Sequence, residues 1–360
     1  MADTAAARLR LIRTQGIGPV TYRQLIPRFG DAEAALDALP MLARRGGGRA
    51  PPVADAGAVA REMAATERLG ARYLFLGDPD YSALLAEIEN APPALIVRGD
   101  VALASAPCVA IVGARNASAA ACRFARELAH ALARDGATVV SGLARGVDTA
   151  AHVGALGSGT TVGVIASGID IGFPPENRDL QERVATAGLL IAEQPPGTEP
   201  RARHFPYRNR IIAGLSAGTV VIEAAPKSGS LITARLAGEF GREVMAVPGS
   251  PLDPRAQGCN SLIREGATLV QSAADVLEQI RPIDARAVRS PPGGFAGPPP
   301  EDASDRDRDA VVALLGPVPV PVDELIRQSA RPTAVVHTVL LELELAGRLE
   351  RHAGGRVSSL

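Results

Sequence analysis

Apolar residues change their spacing along the chain, and the changes divide it. Over the first forty or so residues they recur at helical intervals: Leu9, Leu11 and Ile12, then Tyr22, Leu25 and Ile26, then Ala35, Leu36 and Leu39. Gly16-Ile17-Gly18-Pro19 interrupts the first two groups. It has the form of a helix-hairpin-helix turn, whose glycines let backbone amides approach a phosphate. A plain helical bundle with a tight Gly-Pro turn accounts for those four residues more simply. This helical block, residues 1–45, ends at Arg44-Arg45-Gly46-Gly47-Gly48 and Pro51-Pro52, which read as a linker.

From residue 58 to 280 the pattern alternates. Short apolar runs bounded by Gly or Ser lie at Val109–Val112, Thr138–Ser141, Thr161–Ile165, Leu189–Ala192, Thr219–Ile222 and Val244–Val247. Such runs suit strands buried on both faces of a parallel sheet. Amphipathic stretches follow at Ala119–Arg134, Val147–Leu156, Asn177–Ala187, Arg208–Leu215 and Leu231–Phe240. The alternation predicts a doubly wound α/β sheet, whose ligands bind beyond the carboxyl ends of the strands. Residues 281–305, with Pro291-Pro292-Gly293-Gly294 and Pro298-Pro299-Pro300, read as a second linker. Residues 306–360 hold three short helical patterns, Asp309–Leu315, Val322–Arg327 and Thr333–Ala346, then a hairpin around Gly354-Gly355. That order is a winged helix. Its third helix carries Glu342 and Glu344 but neither Lys nor Arg, so it suits a protein contact or a dimer at least as well as DNA phosphates.

Composition narrows the function. Lys+Arg number 38 against 39 Asp+Glu, so no bulk positive charge exists to coat nucleic acid, and any polyanion site must be local. Almost all the cations are arginines, since Lys227 is the one lysine. Apolar residues at 46% and charged residues at 21% are those of a globular chain, while aromatics are only 3%. Cys108, Cys122 and Cys259 are far apart, which favours neither a disulfide framework nor a zinc site. The N-terminus lacks the apolar core of a signal peptide, and no apolar run approaches the ~20 residues of a bilayer span. A cytoplasmic protein without membrane partners is the expectation.

Enzyme motifs fail on context. Gly214-Leu215-Ser216-Ala217-Gly218 spells a hydrolase elbow, but a helix precedes it and a strand follows, the reverse of what the elbow needs. Lys227-Ser228 resembles the end of a P-loop without the upstream glycines. Asp148 and His152, four apart on one helix, read as a local hydrogen-bonded pair more than as a general base. What remains is a set of donor-rich loops after strands. Gly113-Ala114-Arg115-Asn116-Ala117-Ser118 opens a helix, with Ser118 as its cap and Arg115 at the mouth of an amide-lined anion site. Ser141-Gly142-Leu143-Ala144-Arg145-Gly146 repeats the arrangement, and Glu223 leads into Lys227-Ser228-Gly229-Ser230. Ordinary capped turns would explain the glycines and serines but not a cation in each. In Arg201–Arg210, four arginines interleave with His204, Phe205 and Tyr207, which suits a nucleic-acid strand and equally a solvated loop paired with Glu193 and Glu199.

The runs IVGARNAS (111–118), SGLARGVDTAAH (141–152), FPYRNRIIAGLS (205–216), EAAPKSGSLITA (223–234), AVPGS (246–250) and GCNSLIREGA (258–267) strongly resemble, in order, the DNA-processing protein A family, also called Smf. The resemblance implies an extended Rossmann-like domain flanked by a small N-terminal helical domain and a C-terminal winged-helix-like domain. It implies a non-catalytic protein of natural transformation that binds and protects incoming single-stranded DNA, forms homodimers and helps to load the RecA recombinase. Arg115 and Lys227 match the family's DNA-contacting arginine and lysine, and Arg145 and Arg208–Arg210 lie in matching motifs. The candidate DNA-binding set is therefore Gly113, Arg115, Asn116, Ser118, Arg145, Arg208, Asn209, Arg210, Lys227, Ser228 and Gly229, with no catalytic residue, metal or cofactor. Two alternatives stay open: an enzyme of the same fold that cleaves nucleoside monophosphates, and a dimeric scaffold that binds little DNA. The first is disfavoured because Pro226-Lys227-Ser228-Gly229-Ser230 stands where such enzymes carry a Pro-Gly-Gly-x-Gly-Thr loop and then a catalytic Glu.

Overall fold

The computed structural model describes residues 4–159, 161–285, 302–352 and 354–360. The chain divides into two compact units, one within residues 1–61 and 289–360 and the other within 62–288. The first opens with α1 (Ala5–Arg13), α2 (Pro19–Phe29) and α3 (Ala32–Arg45). Thr4 and Asp31 cap α1 and α3 by accepting backbone N–H groups, and Pro19 begins α2, where its missing N–H costs nothing. Leu11, Leu25, Leu39 and Leu42 form the core between these helices.

The second unit is a nine-stranded sheet with helices on both faces. After α4 (Ala56–Arg68) come β1 (Arg72–Phe75), α5 (Ala83–Glu87), β2 (Ala94–Gly99), β3 (Cys108–Gly113), α6 (Ala119–Arg134), β4 (Thr138–Ser141), α7 (Val147–Leu156) and β5 (Thr161–Gly168). They are followed by α8 (Arg178–Ala187), β6 (Leu189–Gln194), α9 (His204–Leu215), β7 (Gly218–Ile222), α10 (Gly229–Glu239), β8 (Glu243–Ala246), α11 (Gln257–Arg264), β9 (Thr268–Leu269) and α12 (Ala273–Ala285). The strand order is β1-β2-β6-β5-β4-β3-β7-β8-β9. From β6 to β9 every pairing is parallel, while β1–β2 and β2–β6 are antiparallel. The six strands legible in the apolar runs are thus extended by an antiparallel edge pair and by the two-residue β9.

Alternation along β3 shows why this chain makes layers. Val109 and Ile111 enter one core with Leu128 and Leu132 of α6 and Val147 of α7. Ala110 and Val112 enter the other with Ile211, Ile212 and Leu215 of α9. Each such Val, Ile or Leu side chain contributes about 1.5–3 kcal/mol when fully buried. The chain leaves β3 toward β4, β5 and β6 on one side and returns to β7 on the other, so the switch point of the sheet lies between β3 and β7.

The remaining part of the first unit holds α13 (Asp305–Val312), β10 (Val320–Pro321), α14 (Val322–Ser329), α15 (Thr333–Leu345), β11 (Leu349–His352) and β12 (Arg356–Ser359). The strands pair antiparallel in the order β10-β12-β11. Helix α13 starts four residues before the pattern at Asp309, because Ser304 and Asp307 form a reciprocal capping box. The winged helix does not present α15 as a groove reader. Val336, Val339, Leu340 and Leu343 fill its own core, while Leu341 and Leu345 join the core of α1–α3. A helix apolar all round is a buried helix. Its acidic residues have internal partners: Glu342 is fully buried and accepts from Arg308 at 2.8 and 3.1 Å, and Glu344 pairs with Arg351 at 2.9 Å. Gly46 and Gly48, which read as a spacer, are contact points. A Cβ at Gly46 would lie 2.1 Å from the Glu342 carbonyl oxygen, and one at Gly48 2.3 Å from that of Ala346. Of the expected linker at 281–305, residues 281–285 continue α12, and most of the rest, including its Pro/Gly clusters, lies outside the described residues.

Candidate nucleic-acid interface

The loops after β3, β4 and β7 meet at the switch point. Gly113 ends β3 where a Cβ would stand 1.9 Å from the Ile222 carbonyl oxygen, so only glycine lets β3 and β7 close at their carboxyl ends. Arg115 and Asn116 beyond it are exposed. Ser118 caps α6 by accepting the Ala121 N–H at 3.0 Å. Its own N–H and hydroxyl donate to the Glu223 carboxylate at 2.8 and 2.6 Å. Ser118, named among the candidate DNA-binding residues, is therefore already engaged across the switch point.

After β4, Asp148 in the first turn of α7 accepts the N–H groups of Gly142 and Ala144 at 3.2 and 3.3 Å. Asn177 donates to the Leu143 carbonyl at 2.8 Å and fixes the same loop. Asp148 and His152 do not form the local pair that their spacing suggests. His152 instead meets Thr161 Oγ1 at 2.8 Å, and burial pushes its pKa down to about 3, so it is neutral. Arg145 is exposed and its charge is taken up by Glu176, whose carboxyl the guanidinium holds below the usual range.

Helix α9 divides the arginine-rich segment. Arg201 and Arg203 are exposed ahead of it, while Arg208, Asn209 and Arg210 are buried. The Arg208 guanidinium occupies the space that a side chain at Gly142 would take, since a Cβ there would fall 1.5 Å from Arg208 Nη1. Asp148 lies 4.0 Å from that nitrogen, and Arg208 Nε has no hydrogen-bond partner. Burial lowers the Arg208 pKa from its ordinary value and raises that of Asp148, each opposed by the other's charge. Phe205 presents its ring to two guanidiniums, Arg115 at 5.3 Å and Arg208 at 5.9 Å, with Phe173 at 6.1 Å. Arg210 does not join this group: it pairs with Glu193 and the Asn90 carbonyl. After β7, Lys227 is exposed in a left-handed conformation (φ +66°), and Ser228 Oγ meets Ser230 Oγ at 2.7 Å. Helix α10 then begins at Gly229 without a side-chain cap.

These pieces enclose an open cleft of about 710 Å³, whose lining includes Gly113, Arg115, Asn116, Arg208, Ser228 and Gly229. Asn209 also lines it, whereas Lys227 stands outside its lining and Arg145 borders a neighbouring pocket of about 140 Å³ with Phe173 and Phe205. Phe173, Asp148, Gly142 and Glu223 complete the arrangement. By sequence reasoning Gly142 and Glu223 lie in the donor-rich loops without a role of their own, and Phe173 has no place. Phe173 follows β5, two strands away from β3 in the sheet, and spacing along the chain carries no trace of that approach. Among the described residues no group of three or more His, Cys, Asp or Glu is placed to hold a metal ion, and no helix is long and apolar enough to cross a membrane.

Comparison with known proteins places these features in a wider set. The family model for DNA recombination-mediator protein A matches residues 72–281. Those for the DprA-like N-terminal HHH domain and the DprA winged helix domain match 2–65 and 296–355. A protein named Smf from a Synechocystis species is 33% identical over 96% of both chains. The crystal structure of DNA processing protein A from Streptococcus pneumoniae superposes with a TM-score of 0.68 at 35% identity, covering 77% of this chain and 99% of that one. A structure of the Helicobacter pylori protein, described for its single-stranded DNA binding mode, gives a TM-score of 0.53 at 29% identity over 58% of this chain and 96% of that one.

Proposed function

Because the chain belongs to the DNA-processing protein A (DprA/Smf) family, we propose that it binds single-stranded DNA in the switch-point cleft and acts on DNA taken up in transformation. The observation that carries this reading is Phe205 with two guanidiniums at 5.3 and 5.9 Å from its ring centre, Arg115 exposed and Arg208 buried. An aromatic ring offers an apolar contact to an unpaired base, and cations close beside it neutralise the phosphates of the same strand. Duplex DNA, whose bases are already stacked and paired, gains nothing from such a ring. The uncapped start of α10 at Gly229 adds backbone donors of the kind phosphates use. Lys227, Ser228, Asn116 and Gly113 belong to the same proposed surface, and Arg145 to its margin. Arg210 serves this site by anchoring α9 to Glu193. Protection of incoming strands, RecA loading, homodimer formation and a cytoplasmic location are the further parts of the reading, carried by family membership.

The role is one of binding and not of turnover. His152 is held neutral and turned to Thr161, and Asp148 is committed to two backbone amides, so neither is poised to move a proton. Titrating a labelled oligo-dT with the full-length protein tests the reading. Binding that weakens in Arg208→Gln while the fold persists supports it, and retention of wild-type affinity in that variant contradicts it.

A further inference from the structure

In doubly wound sheets the first βα turn beside the switch point is the usual seat of a nucleotide phosphate, held by the N-terminus of the helix that follows. Here that turn is Gly113–Ser118 and the helix is the 16-residue α6. The seat is filled from within. Glu223, on the loop after β7, takes both the Ser118 N–H at 2.8 Å and the Ser118 hydroxyl at 2.6 Å. Its backbone reaches this position at φ +50°. An independent feature marks the same cleft as a place for anions: Arg208, its side chain 8% exposed, lines it with Nε unpartnered and Asp148 no closer than 4.0 Å.

We propose that Glu223 is a specificity-determining residue. Its carboxylate stands in for a phosphate at the start of α6, so that free nucleotides and inorganic phosphate find this seat closed, and an anion is received by Arg115, Arg208 and the start of α10 instead. A mononucleotide, which has one phosphate and needs one good seat, is thereby rejected. A strand, which spreads its phosphates over several cations, is not. This inference deepens the reading of the cleft as a strand site and rests on it for its biological meaning.

The test is calorimetric titration of the full-length protein with inorganic phosphate and with AMP, beside anisotropy with oligo-dT. Glu223→Gly and Glu223→Asn both vacate the seat, and both residues tolerate positive φ, so one folded variant suffices. Each variant is expected to bind phosphate and AMP at least about tenfold more tightly than wild type, the scale of one charge-assisted hydrogen-bond pair gained. Adding Ser118→Ala to Glu223→Gly should reverse much of that gain, locating it at α6. Folded variants no better than wild type toward both probes overturn the inference, as does wild type that already binds AMP as well as they do. If phosphate binding appears while wild type ignores oligo-dT, the seat stands and the strand reading falls. Strand binding without any phosphate gain does the reverse: the strand reading stands and the seat falls.

Discussion

Arg208 and Arg210 are two residues apart on α9 and do different work. Arg208 reaches the cleft across a glycine, whereas Arg210 is 4% exposed and closes an ion pair with Glu193. Arg210→Ala should therefore cost stability, about 3 kcal/mol for one partner lost from a buried pair, with oligo-dT affinity unchanged per folded molecule. Urea unfolding beside anisotropy reads both quantities, and a folded variant of normal stability that fails to bind DNA would reverse the assignment. For the exposed cations the expectation is inverted. Arg115→Ala and Lys227→Ala should each weaken single-strand binding by about 1–2 kcal/mol and lower the salt slope by about 0.7, the value for one phosphate contact, with melting temperature unmoved. An unchanged slope in either variant removes that residue from the interface. His152 gives the fold a pH dependence. Its pKa is pushed down to about 3 from 6.5, so the unfolded chain binds a proton that the folded chain refuses. The resulting stability is complete above pH 6.5 and is lost as pH falls toward 3, at up to about 1.4 kcal/mol per pH unit. His152→Gln should flatten the stability profile over that window, and identical profiles would refute the assignment.

At the scale of elements, what could be read from the sequence was what a short window contains. The runs forming β3 to β8 and the helices α6 and α7 are local patterns. The helix ends agree with the structure because Ser118, Asp135 and Gly146 set them, while strand ends differ by up to three residues, as where β5 runs on to Gly168. Three strands of the large sheet escaped for reasons of context. The edge strand β1 has a half-exposed pattern over four residues, β2 follows two prolines and turns antiparallel, and β9 is two residues long. The site was legible in the same partial way. A cation, a glycine and a hydroxyl in each loop identified the carboxyl edge, because capping and phosphate binding both use local chemistry. The partners of those cations were not legible, since Glu223 with Ser118 and Arg208 with Gly142 join residues 105 and 66 positions apart through the strand order alone. The acidic pair on α15 was visible, yet its meaning depended on Arg308 and Arg351 closing over it.

The first unit unites the two ends of the chain in one core, where Leu341 and Leu345 of α15 pack with Leu39 and Leu42 of α3. Removing residues 306–360 should leave strand binding by the sheet nearly intact, since every proposed contact lies upstream. It should also strip the covering from α3, so limited proteolysis ought to cleave within the first 45 residues far faster than in the full chain. Equal resistance would mean that α1–α3 form a core without α15. Loss of DNA affinity in a truncated but folded protein would assign the winged helix a direct part in binding.

Single-stranded DNA, on this reading of the molecule, is held by the cations of the loops after β3 and β7. The decisive experiment is fluorescence anisotropy of labelled oligo-dT and of the matching duplex, titrated with wild type and with Arg115→Ala/Lys227→Ala. Wild type should prefer the single strand, and the folded double variant should bind it markedly more weakly. Equal binding of both DNAs, unaffected by the substitutions, would contradict the assignment and move the interface to another surface, with the Gly16–Pro19 turn the next place to look.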